Sequence, residues 1–364
     1  MIEEVLNGKK RYELVVGDCA EVLSKLPDNS IDCVVTSPPY WRQRIYEDYN
    51  GALIDIIGAE ETPEEYVNNL MKVIKQIKRI LKPTGTFWLN LGDKYINKCL
   101  MGMPWRVAIA MIEDGWILRS DVIWDQMKGT QSCKDRFRDI YEHFFQFAKS
   151  HKYYFNAEPI RIIPKIDAHE NCDGTIVSAT GVSGKKYYKQ IEETLNLTEI
   201  EKQAALDALN KTIEEMRKGE IVDFRMTIRG EQRSFHSENT KISGRAKELR
   251  EKGFYIMKMR KKGFIPSDIW RIVPEDKWRE DIHCAVFPEE LLRIPILSTC
   301  PLDGIILDPF SGTGSTVNAA IKLGRKGIGI DLSKQYTALA QKRINETISR
   351  QRYNKQNPSS SPTE

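Results

Sequence analysis

Apolar positions along the first 155 residues follow two alternating rhythms. YELVVGD (12 to 18) and IDCVVT (31 to 36) are short, near-continuous apolar runs, the pattern of parallel strands covered on both faces. Between them, AEVLSKLP reads as a short helix. Thr62-Pro63-Glu64-Glu65 then carries a capping box with proline in the first turn, and Val67, Leu70, Met71, Ile74, Ile77 and Leu81 keep helical spacing until Lys82-Pro83-Thr84-Gly85 stops it. GTFWLNLGD (85 to 93) is the next predicted strand and PWRVAIAMIEDG (104 to 115) the next helix, with ILRSDVIW and YEHFFQFAK as two further strands. This alternation predicts an α/β fold, an open sheet with helices on both faces.

From about 157 to 265 the rhythm breaks down. One clear helix is expected, starting near Thr198 with a capping box to Glu201, among Gly-, Lys- and Ser-rich segments such as SATGVSGKKYYK. The stretch reads as an inserted, mostly irregular module. At Gly304 the α/β pattern returns: GIILD as strand, STVNAAIKLG as helix, RKGIGID as strand and SKQYTALAQKRINETISR as a last helix. The expected division is therefore 1–156 and 266–348 for the two halves of one α/β domain, 157–265 for the insert, and 349–364 for a disordered tail that has nothing to anchor it.

The chain has 364 residues, 41% of them hydrophobic and 29% charged, with no run of the 18 or so apolar residues that span a membrane and no secretory signal at its start. A cytoplasmic protein is expected. Seven scattered cysteines never form Cys-x-x-Cys, so most are expected to be small core residues and a zinc site has no support. The net charge of +4 says little by itself. Between Arg245 and Lys262, however, eight Lys or Arg stand against two Glu, either a solvated helical face or a surface for a polyanion.

Two stretches carry candidate chemistry. VVTSPPYW (34 to 41) ends a strand in two consecutive prolines, which fix the backbone and cannot continue a ladder. Asp308-Pro309-Phe310-Ser311-Gly312-Thr313-Gly314 lies between an apolar strand and a helix that begins at Ser315, and Asp331 follows one helix and one strand later, 19 residues beyond Gly312. A glycine turn at a strand's carboxyl end, with an acidic residue at that distance, suits a ribose-bearing ligand. With neither a third glycine nor the Gly-Lys pair of a phosphate loop, the pattern favours a nucleoside without phosphates over NAD or ATP.

Taken together, these residues resemble the S-adenosylmethionine-dependent DNA methyltransferases that modify exocyclic amino groups. In that family an Asp-x-Phe-x-Gly-x-Gly loop cradles the methionine end of the cofactor, the later acidic residue holds its ribose, and a Ser/Asp/Asn-Pro-Pro-Tyr/Phe tetrapeptide is catalytic. Ser37-Pro38-Pro39-Tyr40, Asp308 to Gly314 and Asp331 match each element. Gly17-Asp18-Cys19 resembles the segment whose Asp contacts adenine, and Ala285-Val286-Phe287-Pro288 the segment lining the methionine pocket, although His283-Cys284 replaces the His-Pro common there. Catalytic tetrapeptide first and glycine loop last is the order of the permuted β class, whose intervening module is the target recognition domain. The match covers about 11–156 and 266–348, and implies a Rossmann-like sheet.

The resemblance implies methyl transfer to a base flipped out of duplex DNA, leaving S-adenosylhomocysteine and needing neither a metal nor a covalent nucleophile. Ser37 Oγ and the Pro38 carbonyl become acceptors for the two amino hydrogens, and Tyr40 offers a face on which the base stacks. Trp41 either extends that wall or is packed. Serine at the first position favours N4 of cytosine, with N6 of adenine as the alternative. An RNA methyltransferase or a non-catalytic DNA-binding module are rivals of other classes. Arg260, Lys261 and Lys262 are the candidate DNA contacts. A prokaryotic, nucleoid-associated enzyme is implied, a monomer or homodimer with a cognate restriction endonuclease as a functional partner.

Overall fold

A computed structural model describes residues 2–43, 57–127, 133–163, 168–172, 174–230, 244–274 and 288–356, apart from the side chain of Lys355. The chain divides into two compact units, Met1–Ile160 with Ser267–Glu364, and Arg161–Pro266. The first is built on an eight-stranded sheet, in the order Tyr12–Val16, Lys326–Asp331, Ile305–Asp308, Ile31–Thr36, Leu81–Leu91, Tyr141–Ala148, Ile117–Asp125, Ile269–Arg271. The first five strands run parallel, and Tyr141–Ala148 is antiparallel to both of its neighbours.

Side chains alternate across this sheet into two cores. Val34, Phe87, Leu89, Phe145, Phe147, Leu307 and Ile328 pack on one face with Tyr66, Leu70, Ile74 and Ile77 of the helix Pro63–Ile80 and with Val107 and Met111 of the helix Met103–Glu113. Cys33, Val35, Trp88, Phe144 and Ile306 pack on the other with Leu291, Leu292 and Ile296 of the helix Glu289–Thr299 and with Ala319 and Ala320 of the helix Ser315–Lys322. Helices therefore cover both faces of the α/β sheet, which is why its strands read as continuous apolar runs. The capping box at Thr62 and Glu65 forms with both of its hydrogen bonds.

Several expectations are corrected. The helix that begins at Pro63 ends at Ile80, and the next strand starts at once at Leu81, with a register shift before Cys33 pairs with Thr86, so Lys82 to Gly85 belong to strand. The last helix runs from Lys334 to Gln356, so residues 349–356 are helical where a disordered tail was expected; 357–364 lie outside the described residues. Cys19, Cys33 and Cys300 are buried, but Cys99 and Cys172 are exposed and Cys133 is half-buried; Cys284 lies outside the described residues.

The second unit is more regular than its sequence suggests. Ile221–Ile228 and Phe254–Arg260 form an antiparallel ribbon, packed with the helices Gly184–Glu193 and Glu199–Arg217 around Ile191, Leu209, Phe224 and Met226. The Thr198 capping box to Glu201 is present. SATGVSGKKYYK, read as irregular, supplies the start of the first of these helices. Composition masked these elements because Tyr187 and Ile191 are the only apolar anchors of that helix to be fully buried.

The most deeply buried charged group among the described residues is Arg343, in the first unit. Arg343, 1% exposed, donates to Ser315 Oγ at 2.8 Å and pairs with Glu289 at 2.5 Å, joining the last helix to the two helices behind the glycine loop. Burial opposes ionisation of Glu289, but the cations of Arg343 and Lys322 outweigh it and hold its carboxyl below the usual range. Replacing one partner of a buried pair strands the other charge. Arg343→Met is therefore expected to cost about 3 kcal/mol of stability, read as a lower urea midpoint, with Lys322→Met costing less because that lysine is half-exposed.

Candidate active site

Parallel pairing of Ile306 with Cys33 and Leu307 with Val34 brings two strand ends side by side. Beyond the last pair, Thr36 Oγ1 donates to Asp308 Oδ1 at 2.5 Å, with both residues buried. Asp308 Oδ1 also accepts from the Phe310 backbone N–H at 3.1 Å, which folds the glycine loop back over the strand end. Burial pushes the Asp308 carboxyl up to about 6, against the pull of these bonds. The residue before the tetrapeptide is thus tied to the first residue of the glycine loop.

Ser37-Pro38-Pro39-Tyr40 is held from several sides. The Tyr66 hydroxyl, on the helix Pro63–Ile80, donates to the Pro39 carbonyl at 3.0 Å. Gly58, at φ 104°, lies so close that a Cβ there would meet Pro39 Cβ at 3.1 Å, and a Cβ at Gly92 would meet the Tyr40 ring at 2.8 Å. Among the described residues no donor reaches the Pro38 carbonyl. Ser37 Oγ donates to the Tyr40 hydroxyl at 3.1 Å, which donates to Glu142 Oε2 at 2.6 Å. Asn90 Nδ2 donates to the same phenol oxygen at 2.6 Å and to Glu142. Gln126 Nε2 donates to Glu142 Oε1 at 2.9 Å. Trp41 is packed: it is 3% exposed, sits in the core and donates to the Glu60 carbonyl.

The glycine loop meets two other strand ends. Ser311 N–H donates to the Ile330 carbonyl, Gly312 N–H to Asp331 Oδ2 at 2.8 Å, and Gly17 N–H to the Asp331 carbonyl at 3.0 Å. Asp331 Oδ1 accepts from Ser333 N–H, and burial raises this carboxyl too. Gly312 and Gly314 have φ of 50° and 75°, left-handed values that a side chain resists, and a Cβ at Gly314 would meet Ala340 at 2.6 Å. Pro309 is buried, Phe310 half-buried, and Thr313 and Ser315 buried. Asp18 is exposed and caps the helix Cys19–Ser24 through Glu21 N–H. Pro288 is the N-cap of the helix Glu289–Thr299, while Phe287 lies outside the described residues.

The structure thus brings Asp18, Asp308 and Asp331 to neighbouring strand ends. It leaves Ser311 Oγ buried with no partner among the described residues. Three carboxylates and a glycine turn, without a lysine in the loop, fit a cationic, hydroxyl-bearing nucleoside. Among the described residues no cluster of His, Cys, Asp or Glu is placed to hold a metal ion, and no helix is long and apolar enough to cross a membrane.

In the second unit, Arg260, Lys261 and Lys262 are exposed where the strand Phe254–Arg260 ends. The helix Arg245–Lys252 has no buried residue; Lys247 pairs with Glu251 and Lys252 with Glu248, and beyond it Lys258 pairs with Glu215. For that helix the solvated-face reading of the basic run holds.

Sequence reasoning missed Tyr66, Asn90 and Glu142, as well as Arg343 and Glu289. A faint signal existed for two of them: Asn90 is a polar residue within WLNL, and Glu142 one at the start of YEHFFQF. Pairing puts both on the face of Trp88, Phe144 and Trp124, where an apolar stripe ends in a polar pair.

Comparison with known proteins agrees with this geometry. Residues 31–342 match the N6/N4 family model described as DNA methylase, and the chain belongs to that family. It is 29% identical over 384 residues to the type II methyltransferase M.SfiI of Streptomyces fimbriatus, covering 89% of each chain. It is 27% identical over 373 residues to M.SmaI of Serratia marcescens, covering 94% of each. Among solved structures, the PvuII cytosine-N4-specific DNA methyltransferase shares the fold, with a TM-score of 0.55 and 17% identity over 94% of this chain and 92% of that one. A Thermus thermophilus protein described as a DNA modification methylase, complexed with S-adenosylmethionine, has a TM-score of 0.50 at 17% identity, covering 93% and 96%. The protein is a DNA methylase of the N6/N4 family with a Rossmann-like α/β sheet.

Because the Asp308 carboxyl is raised in the folded state from an ordinary 3.8 to about 6, its contribution to stability is greatest below pH 4 and is lost as pH rises through 6. An amide in its place cannot ionise. The stability of Asp308→Asn relative to wild type, followed by urea unfolding without cofactor, should therefore improve between pH 4 and pH 7, by up to roughly 3 kcal/mol.

Proposed function

We propose that the protein methylates N4 of a cytosine flipped out of duplex DNA at a specific short site, in the manner of a type II restriction-modification enzyme. The acceptor set at the tetrapeptide carries this reading. An exocyclic amine is a weak nucleophile because its lone pair is delocalised into the ring. Ser37 Oγ and the Pro38 carbonyl accept its two hydrogens, drawing the nitrogen toward tetrahedral geometry and freeing that lone pair. Both prolines hold the carbonyl toward the substrate, and the Tyr40 ring, seated on Gly92, is the stacking surface for the flipped base.

S-adenosylmethionine supplies the methyl group on a positively charged sulfur. Asp18 faces its adenine and Asp331 its ribose. The loop Asp308, Pro309, Phe310, Ser311, Gly312, Thr313, Gly314 and Ser315 cradles the methionine end, with Pro288 lining that pocket. The raised carboxyls of Asp308 and Asp331 support this, since a bound cation would favour ionisation of carboxyls that burial disfavours. Residues 161–266 are the target recognition module, and the names of the type II relatives support a cognate endonuclease.

The hydroxyl of Ser37, where adenine enzymes of the resembling family carry Asp, is what favours cytosine. Mass spectrometry of nucleosides from unmethylated, whole-genome-amplified DNA treated with the enzyme should show N4-methylcytosine; N6-methyladenine alone would reverse the assignment. Charge reversal at Arg260, Lys261 and Lys262 should weaken binding to all DNA sequences alike and flatten its salt dependence, as phosphate contacts do. Unchanged binding across a salt series would remove these residues from the interface.

A further inference from the structure

We infer that Glu142 is a positioning residue that fixes the direction of the hydroxyl chain Ser37–Tyr40–Glu142, and so makes Ser37 Oγ an obligatory hydrogen-bond acceptor toward the substrate amine. The inference rests on the proposed role of Ser37 and extends it to a residue at the start of another strand, Tyr141–Ala148.

An ionised carboxylate can only accept, so at 2.6 Å from Glu142 Oε2 the Tyr40 hydroxyl must donate. A phenol has one hydrogen. Once it is committed to Glu142, the Tyr40 oxygen can only accept, and it does so from Ser37 Oγ at 3.1 Å and from Asn90 Nδ2 at 2.6 Å. The Ser37 hydrogen is then also committed, away from the substrate, and only lone pairs of Ser37 Oγ remain to meet an amino group.

The same carboxylate decides how Asn90 lies. Turning its amide over would set Oδ1 against Glu142, whereas the observed orientation gives Glu142 a donor and leaves Oδ1 buried without a partner among the described residues. Gln126, donating to Glu142 Oε1, holds the carboxylate from its other side. Burial, reinforced by the neighbouring charge of Glu142, keeps the Tyr40 phenol well above its usual range and hence protonated and able to donate. A serine not constrained in this way could turn its hydrogen toward the substrate nitrogen, where it would compete for the lone pair that attacks the methyl group.

Glu142→Gln keeps the shape but adds an amide donor, so the direction of the chain is no longer set. Tyr40→Phe keeps the ring for stacking and removes the link. On whole-genome-amplified DNA, each is expected to lower kcat by about tenfold to a hundredfold. KM for DNA and the calorimetric affinity for S-adenosylmethionine should stay within about twofold, because the fold and cofactor site are untouched. The double variant should be no slower than the slower single one, since the carboxylate acts through the phenol. In the protein without cofactor or DNA, the Tyr40 ring-carbon NMR signal, assigned by its absence in Tyr40→Phe, should shift in Glu142→Gln. A wild type that methylates DNA while either single variant keeps its kcat would overturn this inference alone, as would losses that multiply in the double variant. A wild type that transfers no methyl group to DNA would overturn the proposed function as well.

Discussion

A hydroxyl and a carboxylate 272 residues apart in the chain meet at 2.5 Å where two parallel strands end, Thr36 donating to Asp308. Much of the site depends on this bond. It closes the gap left when the ladder stops after Leu307 and Val34, and it sets the tetrapeptide that follows Thr36 beside the glycine loop that follows Asp308. A buried carboxylate without donors would be costly, and Thr36 and the Phe310 N–H supply them. Both chemical elements therefore take their positions from the packed centre of the sheet.

The supports of the site divide according to what must be held. Backbone is held by backbone and by shape: Gly312 N–H on Asp331, Gly17 N–H on the Asp331 carbonyl, and Gly58 and Gly92 where any side chain would strike Pro39 or Tyr40. Side-chain polarity is held by charge, through Glu142 on one side of the sheet's centre and the buried Arg343–Glu289 pair behind the glycine-loop helix. Shape can place an atom to a fraction of an ångström, but only an obligate acceptor can decide which way a hydroxyl points.

The α/β sheet, most of its helices, both chemical motifs and the family itself were legible in the sequence because each is a local signal. Apolar runs mark doubly covered strands, a capping box marks a helix start, and Pro-Pro or Gly-x-Gly marks backbone that must leave regular structure. Where local signals were weak, the reading failed. The ribbon Ile221–Ile228 with Phe254–Arg260 was missed because its strands pair across 25 intervening residues of Gly-, Ser- and charge-rich chain. Leu81 was read as the last turn of a helix and Lys82 to Thr84 as the stop after it because a Pro-Thr-Gly turn and a strand entry share the same composition.

By itself, the sequence determined which residues could do chemistry: a serine hydroxyl, a proline-stiffened carbonyl, an aromatic ring, three aspartates and one glycine turn. Only the tertiary structure decided that Trp41 serves the core, that Thr36 and Asp308 share a proton donor and acceptor, and that Asn90 and Glu142 converge on Tyr40. The physical reason is that a hydrogen bond depends on distance and direction between atoms whose strands meet across the sheet, and residue type and spacing along one strand encode neither.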